Sequence, residues 1–255
     1  MRARMTLAYD GAGFHGFAPN PGVRTVGGTL GEALGRVARS PVELTCAGRT
    51  DAGVHAWGQV VSFDLPAERA EPASLVALAR SLNRLLAPEI VVRDLCPAPD
   101  GFDARRSATG RTYRYTIVNR PVPDPFLARV AWHVDEPLQV DLLRLGCDPL
   151  LGEHDFSAFC RRPKRRDPDD PEVSLVRHVR RADWTEAGEG VLRFEIEATS
   201  FCHQMVRGIV GTLVDVGRSR KHAGELRAIL ASRDRSRASP VAPPHGLCLW
   251  SVSYE

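Results

Sequence analysis

The sequence has no apolar run long enough to cross a membrane, and this absence argues against an integral membrane protein. The N-terminal residues Met1–Thr6 include two arginines and are not followed by the apolar segment that a secretory signal peptide carries. We therefore expect a cytoplasmic protein with no membrane partner.

Metal-ligand spacings are missing as well. The six cysteines are scattered without a Cys-x-x-Cys pair, and the eight histidines show no close spacing of the kind that zinc sites use. Neither a metal site nor a disulfide framework is expected, and the cysteines are interpreted as structural thiols.

A strong charge imbalance is also lacking, since 34 basic and 31 acidic residues leave a net charge of +3. The arginines nevertheless cluster at 105–114, 161–166 and 177–181, and such patches can hold phosphates. A solvated surface is the alternative. It is strongest for 161–172, where acidic residues follow the cations and prolines exclude a helix, so that this segment is interpreted as a mobile loop.

The hydrophobic pattern predicts an α+β protein. A chain of 255 residues with 43% hydrophobic content can form one large domain or two of ordinary size. Alternating and helical patterns follow one another in the order βαββαβ up to about residue 92, which is typical of ferredoxin-like domains. The second half repeats this order more loosely. We expect two such halves, 1–104 and 105–255, with mixed or antiparallel sheets and a central cleft.

The segment Ala47–Ala56 carries the most reactive side chains of the chain. It reads Ala-Gly-Arg-Thr-Asp-Ala-Gly-Val-His-Ala, lies between two predicted strands and is too rich in glycine for a helix. Asp51 is therefore a candidate catalytic carboxylate. An aspartate that merely bonds its own turn is the alternative. Arg49 and His55 favour chemistry, because a simple turn needs neither a cation nor an imidazole.

Three other candidates come from the second half. On the strand beginning near Thr109, Tyr113 is flanked by arginines and could stack on a nucleobase, whereas Tyr115 is interpreted as an ordinary strand residue. By periodicity alone, Arg207 could be a plain surface arginine and Leu247 a core residue that opens a strand.

The run Gly48–His55 resembles the catalytic signature of the TruA-type tRNA pseudouridine synthases. Further similar motifs follow in the family's order, at Phe102–Tyr115, at Met205–Arg207 and at Ala242–Leu249. The resemblance covers nearly the whole chain. It departs from the family at Phe17–Asn20, where the family has Trp-Gln-x-Gln. The basic segment 161–172 also looks expanded.

This resemblance implies the pseudouridine synthase fold and the isomerisation of uridine to pseudouridine at positions thirty-eight to forty of the tRNA anticodon stem-loop. It further implies a homodimer that needs no cofactor. By the same resemblance Asp51 is the essential carboxylate, Arg207 pairs with it, Tyr113 contacts the target uridine, Arg49 fills the gap that an extruded base leaves, and Leu247 is an apolar residue of the active site.

Several alternatives stay open at this stage. Asp51 could attack C1′ of the ribose, attack the uracil ring, or act as a base on the ribose. The substrate could be another RNA, and a catalytically silent RNA-binding module could use the same basic sheets. The departure at Phe17–Asn20 puts the RNA contacts of that loop in doubt.

Overall fold

The structure, a computed structural model, describes residues 1–66, 71–162, 167 and 172–254. The chain divides into a first unit, Met1–Thr109 together with the segment from Cys248 onward, and a second unit, Gly110–Leu247. The division expected from the sequence, near residue 104, differs from this one mainly at the C-terminal strand. That strand pairs within the sheet of the first unit.

The first unit follows the predicted βαββαβ order. Its elements are β1 (Arg2–Tyr9), α1 (Val26–Ala38), β2 (Thr45–Cys46), β3 (His55–Asp64), α2 (Pro72–Leu86), β4 (Ile90–Pro97) and the late strand β10 (Leu247–Tyr254). The strand order is β4-β1-β3-β10, with β2 beside β3. β1 is antiparallel to β3 and β4, whereas β10 runs parallel to β3, with Cys248 opposite His55.

Two packed helices cover this sheet. α1 begins after Thr25, whose hydroxyl accepts the N–H of Gly28 at 3.2 Å and so caps the helix. The side chains that fill the core are fully buried and come from both helices and the sheet: Met5, Leu7, Leu30, Leu34, Phe63, Leu82 and Ile90. Burying each favours folding by roughly 1.5–3 kcal/mol relative to leaving it exposed.

The second unit is also α+β, which confirms the predicted class. Its elements are β5 (Ala108–Asn119), β6 (Trp132–Val134), α3 (Val140–Leu145), β7 (Gly152–Asp155), β8 (Val176–Glu186), β9 (Val191–Ala198), α4 (Met205–Gly217) and α5 (Glu225–Ser232). The order β5-β9-β8-β7 is antiparallel throughout, and β6 pairs parallel with β5. Buried aromatic side chains dominate its core: Tyr115, Phe156, Phe159, Trp184 and Phe194.

Some predicted elements differ in extent. The leucine spacing at 142, 143, 145 and 150 predicts one helix through Leu150. The helix α3 instead ends at Leu145, and a separate turn of 3-10 helix forms at Asp148–Leu150, where Pro149 cannot donate an N–H. The strand expected from Val42 is only the two residues of β2. None of the helices that the structure describes is long and apolar enough to cross a membrane.

Candidate active site

Asp51 lies in the turn that enters β3, as its glycine-rich surroundings predict. The Asp51 residue is half-buried, Arg49 is exposed and Thr50 between them is buried. The N–H of Val54 donates to the carbonyl oxygen of Asp51 at 3.1 Å and closes the turn, and Gly53 takes a φ of +76°, which glycine adopts without steric cost. The turn therefore leaves Arg49 exposed to solvent and buries Thr50.

Arg49 also influences a neighbouring thiol. Burial raises the pKa of Cys46, and the positive charge of Arg49 opposes this rise. The guanidinium therefore acts electrostatically on the entry to the loop while its side chain stays exposed.

A second segment of the first unit supports the Asp51 turn through its backbone. The N–H of Phe17 donates to the carbonyl oxygen of Thr50 at 3.1 Å, and the N–H of Gly53 donates to the carbonyl oxygen of Phe14 at 3.3 Å. At Gly16, with φ +88°, an added Cβ would lie 2.7 Å from the carbonyl oxygen of Thr50. Only glycine permits so close an approach of the two segments.

The segment Phe17–Asn20, where the sequence departs from the family, begins with a residue that supports the Asp51 turn. Phe17 is buried, and its ring centroid lies 6.3 Å from that of Tyr9, whereas Pro19 and Asn20 are exposed. The first position of the departing motif therefore packs inside the unit, and its backbone N–H bonds the Asp51 turn.

His55 has a structural partner on the neighbouring loop. It is buried, its Nδ1 accepts the N–H of Gly11 at 3.0 Å, and a carboxylate oxygen of Asp10 lies 3.2 Å from the same nitrogen. The imidazole that follows the Asp51 turn thus anchors β3 to the turn after β1.

In the second unit, Tyr113 and Arg111 lie on the same face of β5. Tyr113 is 8% exposed and packs edge-on against Phe201, with ring centroids 5.0 Å apart. Arg111, predicted to be part of a phosphate-binding patch, is buried and donates through Nη1 to the carbonyl oxygen of Thr199 at 2.7 Å. Arg111 therefore holds β5 to the residue after β9.

Arg207 is tied to the segment that leads into β10. Its Nε donates to the carbonyl oxygen of Ala242 at 2.7 Å, and the N–H of Ala242 donates back to the carbonyl oxygen of Arg207 at 3.0 Å. This reciprocal pair orients the guanidinium, an outcome that helical periodicity alone could not predict.

Tyr115 completes the surroundings of Arg207. It is fully buried, as its interpretation as a plain strand residue requires, and its hydroxyl donates to the carbonyl oxygen of Pro243 at 2.8 Å. Burial raises the pKa of Tyr115, and the charge of Arg207 opposes this rise. Gly246 lies so close that an added Cβ would be 2.6 Å from Cζ of the Tyr115 ring. Leu247 follows and is 6% exposed.

The candidate residues thus belong to different units. Asp51 and Arg49 lie in the first unit, whereas Tyr113, Arg207 and Leu247 lie in the second. Within the second unit, Arg207, Tyr115 and the segment before Leu247 are brought together. The pairing of Asp51 with Arg207 stays a prediction.

Several arginines of the predicted phosphate-binding patches have acidic partners. Arg114 and Arg181 both pair with Glu195, at 2.6 and 2.9 Å, and Arg180 lies 3.4 Å from Glu197. Partly exposed pairs of this kind contribute little to stability, but they neutralise charge that a phosphate would otherwise meet. In the predicted loop 161–172, Arg162 pairs with Glu172 at 2.9 Å. Residues 163–166 and 168–171 lie outside the described residues.

The interpretation of all cysteines as thiols is wrong for one pair. Cys160 and Cys202 form a disulfide, with a Cα–Cα distance of 5.9 Å. The two cysteines are 42 residues apart, so no local spacing could reveal them. Among the residues that the structure describes, no three His, Cys, Asp or Glu side chains are grouped so as to hold a metal ion.

Comparison with known proteins agrees with the motifs. A family model described as tRNA pseudouridine synthase matches residues 147–255. The tRNA pseudouridine synthase A of Frankia casuarinae is 45% identical over all of this chain and 89% of its own length, and that of Dechloromonas aromatica is 41% identical over all of this chain and 93% of its own. A chain of a solved Cbf5-Nop10-Gar1 complex aligns at 13% identity and TM-score 0.34, covering 83% of this chain and 45% of its own, which is too weak a similarity to support an argument.

Full-length identity of this degree to two tRNA pseudouridine synthases, together with the aspartate turn and the later motifs in order, identifies the chain as a member of the tRNA pseudouridine synthase A family.

Proposed function

We propose that the protein converts uridine to pseudouridine in the anticodon stem-loop of tRNA, at positions thirty-eight to forty, with Asp51 as the essential carboxylate. The observation that carries the proposal is the Asp51 turn. Its backbone is bonded on both sides, to Phe14 and Phe17, while the aspartate itself is only half-buried. A carboxylate on a turn with a fixed backbone, accessible to solvent and in a chain of this family, is suited to act on a nucleoside.

The reaction makes few chemical demands. The N1–C1′ glycosidic bond breaks, the uracil turns within the site, and C5 becomes bonded to C1′. C5 then loses its hydrogen as a proton to solvent, and N1 gains a proton. Atoms and oxidation states balance without a cofactor. Asp51 would act at C1′, at the uracil ring or as a base, and these three routes share the need for one ionised carboxylate. Hydrolysis by a glycosidase mechanism would normally use a second carboxyl group across the bond.

The other candidates supply charge and stacking. In this proposal Arg207 pairs with Asp51 and directs its carboxylate through charge-assisted hydrogen bonds. The bond from Arg207 to Ala242 supports such a role, because it restricts the guanidinium. Tyr113 stacks on the extruded base, Leu247 contributes an apolar surface, and the exposed Arg49 fills the space that the base leaves.

Replacement of Asp51 tests the proposal directly. Asp51→Ala should abolish tritium release from C5-labelled tRNA while tRNA affinity stays within about tenfold of wild type, roughly 1.4 kcal/mol. The exposed Asp100 of the same unit provides the matched control, and Asp100→Ala should retain activity. Residual turnover by Asp51→Ala would refute the assignment. Pseudouridine can also be mapped in total RNA from a deletion strain. Loss of pseudouridine from an RNA other than tRNA would identify that RNA as the substrate.

The proposal extends to a homodimer in the cytoplasm, where tRNA is available. Support for self-association comes from the 121–131 surface, which we define by its exposed apolar side chains Val122, Phe126 and Val130. Their exposed fractions are 70%, 93% and 42%. Clustered apolar side chains at such exposure often mark a contact surface.

A further inference from the structure

Gln59 is a polar residue that lies wholly inside the first unit. It is on β3, its exposed fraction is 0%, and the strand on either side of it is almost entirely buried. A carboxamide in such a place is unfavourable unless its groups are hydrogen-bonded. The partners of Gln59 therefore indicate why a glutamine stands there.

The donors of Gln59 point to the loop that carries Asp51. Its Nε2 donates to the carbonyl oxygen of Gly48 at 2.6 Å and, more weakly, to the hydroxyl of Tyr9 at 3.4 Å. Its Oε1 accepts the N–H of Val60 at 3.2 Å. The short bond thus fixes the loop three residues before Asp51.

Tyr9 continues the connection. Its hydroxyl lies 2.8 Å from Oγ1 of Thr50, and both residues are buried, with exposed fractions of 5% and 6%. When Gln59 donates to the Tyr9 hydroxyl, the tyrosine proton is available for Thr50. A buried chain therefore runs from Gln59 through Tyr9 to the residue directly before Asp51. Buried, satisfied polar networks hold their members in one arrangement.

We propose that Gln59 and Tyr9 are positioning residues for Asp51, acting through Gly48 and Thr50. This inference rests on the proposed function, since it assumes that Asp51 performs the chemistry. Gly48 and Thr50 are held by side chains from β3 and β1, and Thr50 and Gly53 are also held by the backbone of residues 14–17. These bonds fix the backbone before and after Asp51 and so set the position from which its side chain extends. Displacement of a catalytic group by about 1 Å can cost on the order of a hundredfold in rate.

Tyr9→Phe is the mildest test, because it removes one hydroxyl and keeps the ring. We expect kcat to fall about tenfold, a change typical of one lost buried hydrogen bond, with KM for tRNA within about twofold. Gln59→Leu removes the bond to Gly48 as well and should lower kcat by about 10- to 100-fold. A loss confined to kcat is expected of a positioning role, since the surface that meets tRNA is unchanged.

Two matched controls separate positioning from stability. Tyr254→Phe removes another tyrosine hydroxyl of the first unit, one that donates to the carbonyl oxygen of Ala104 at 2.8 Å. Asn83→Leu removes a carboxamide that bonds both backbone groups of Val92. Both variants should lower the thermal unfolding midpoint yet keep kcat within about twofold, in assays run well below that midpoint.

A double-mutant cycle tests the connection between Tyr9 and Thr50. Thr50→Val should lower kcat about as much as Tyr9→Phe, Thr50→Ser should restore most of that loss, and the double variant should be no slower than the worse single variant. Wild-type kcat for Tyr9→Phe and Gln59→Leu, beside an inactive Asp51→Ala, would overturn the positioning role alone. Activity in Asp51→Ala would instead overturn the proposed function.

Discussion

At the scale of single residues, three side chains around the candidate site are oriented by hydrogen bonds to backbone carbonyl groups. Arg207 donates to Ala242, Tyr115 donates to Pro243, and Gln59 donates to Gly48. A carbonyl oxygen is a fixed acceptor, because its position follows from the fold. Each of these side chains thus has one end set by the backbone and keeps a defined orientation.

Tyr113 is the residue for which packing and function make different predictions. It packs edge-on against Phe201 and is nearly buried, as a sheet residue would be. If it stacks on the target base, Tyr113→Leu should lower the single-turnover rate by at least about 100-fold, because leucine offers no aromatic face. The thermal unfolding midpoint would show how much packing is lost. A leucine variant that turns over at the wild-type rate would leave Tyr113 with sheet packing only.

At the scale of elements, individual helix glycines differ in whether the backbone of another segment packs against them. In α4, an added Cβ at Gly208 would lie 2.6 Å from the carbonyl oxygen of Phe159. In α1, an added Cβ at Gly31 would meet only the Leu44 side chain, at 3.8 Å, which is an ordinary contact. Close packing against Phe159 requires a glycine at position 208, whereas the glycine at position 31 only lowers the stability of its helix.

Alanine substitutions at these two glycines should therefore have opposite effects. Gly208→Ala should lower the free energy of unfolding by about 1–3 kcal/mol, because α4 must move away from Phe159. Gly31→Ala should raise it by about 0.5–1 kcal/mol, because alanine restricts the unfolded chain and favours the helix. Urea unfolding curves of both variants measure this. Equal shifts in the same direction would contradict the assigned packing.

At the scale of the whole molecule, the 121–131 surface is the exposed apolar patch on which the proposed dimer rests. Phe126 is 93% exposed, and an apolar patch at such exposure often marks a contact surface. A second copy of the chain is the partner that the proposed homodimer requires.

Phe126→Ser should weaken self-association by at least about tenfold, measured by analytical ultracentrifugation across a range of concentrations, because aromatic residues often dominate contact energies. Val76→Ser is the control, since Val76 is 52% exposed on α2 of the first unit. A wild-type protein that stays monomeric at all concentrations would contradict the dimer. If Phe126→Ser associates as tightly as the wild type, the dimer contact lies on another surface.

Much of this architecture could be predicted because its signals are local. The glycines at 48 and 53 predict the Asp51 turn, and period-two patterns predict β5, β8, β9 and β10. The disulfide between Cys160 and Cys202 and the parallel pairing of β10 with β3 were not predicted, since each joins residues distant in sequence. The short β6 and β7 were also missed, because three or four residues are too few to establish a period.

The role of Gln59 was missed for a related reason. The alternating pattern of apolar and polar residues places Gln59 on one face of β3. Its burial, however, depends on contacts with Tyr9 of β1 and with Gly48 in the loop before Asp51. A lone glutamine within an apolar strand is the signal that could have identified it. The sequence alone does not distinguish such a buried amide from one at a solvent-facing position.

The parallel pairing of β10 with β3 has a consequence for synthesis on the ribosome. Residues up to 109 emerge first, and Cys248 follows 139 residues later (248 − 109), which at roughly 5–20 residues per second is on the order of ten seconds. Until Cys248 has been synthesised, the edge of β3 that pairs with β10 has no partner strand. Messages truncated before codon 248 would yield polypeptides in which the strand edge beside Asp51 stays open, which is the kind of product that chaperones and proteases must remove.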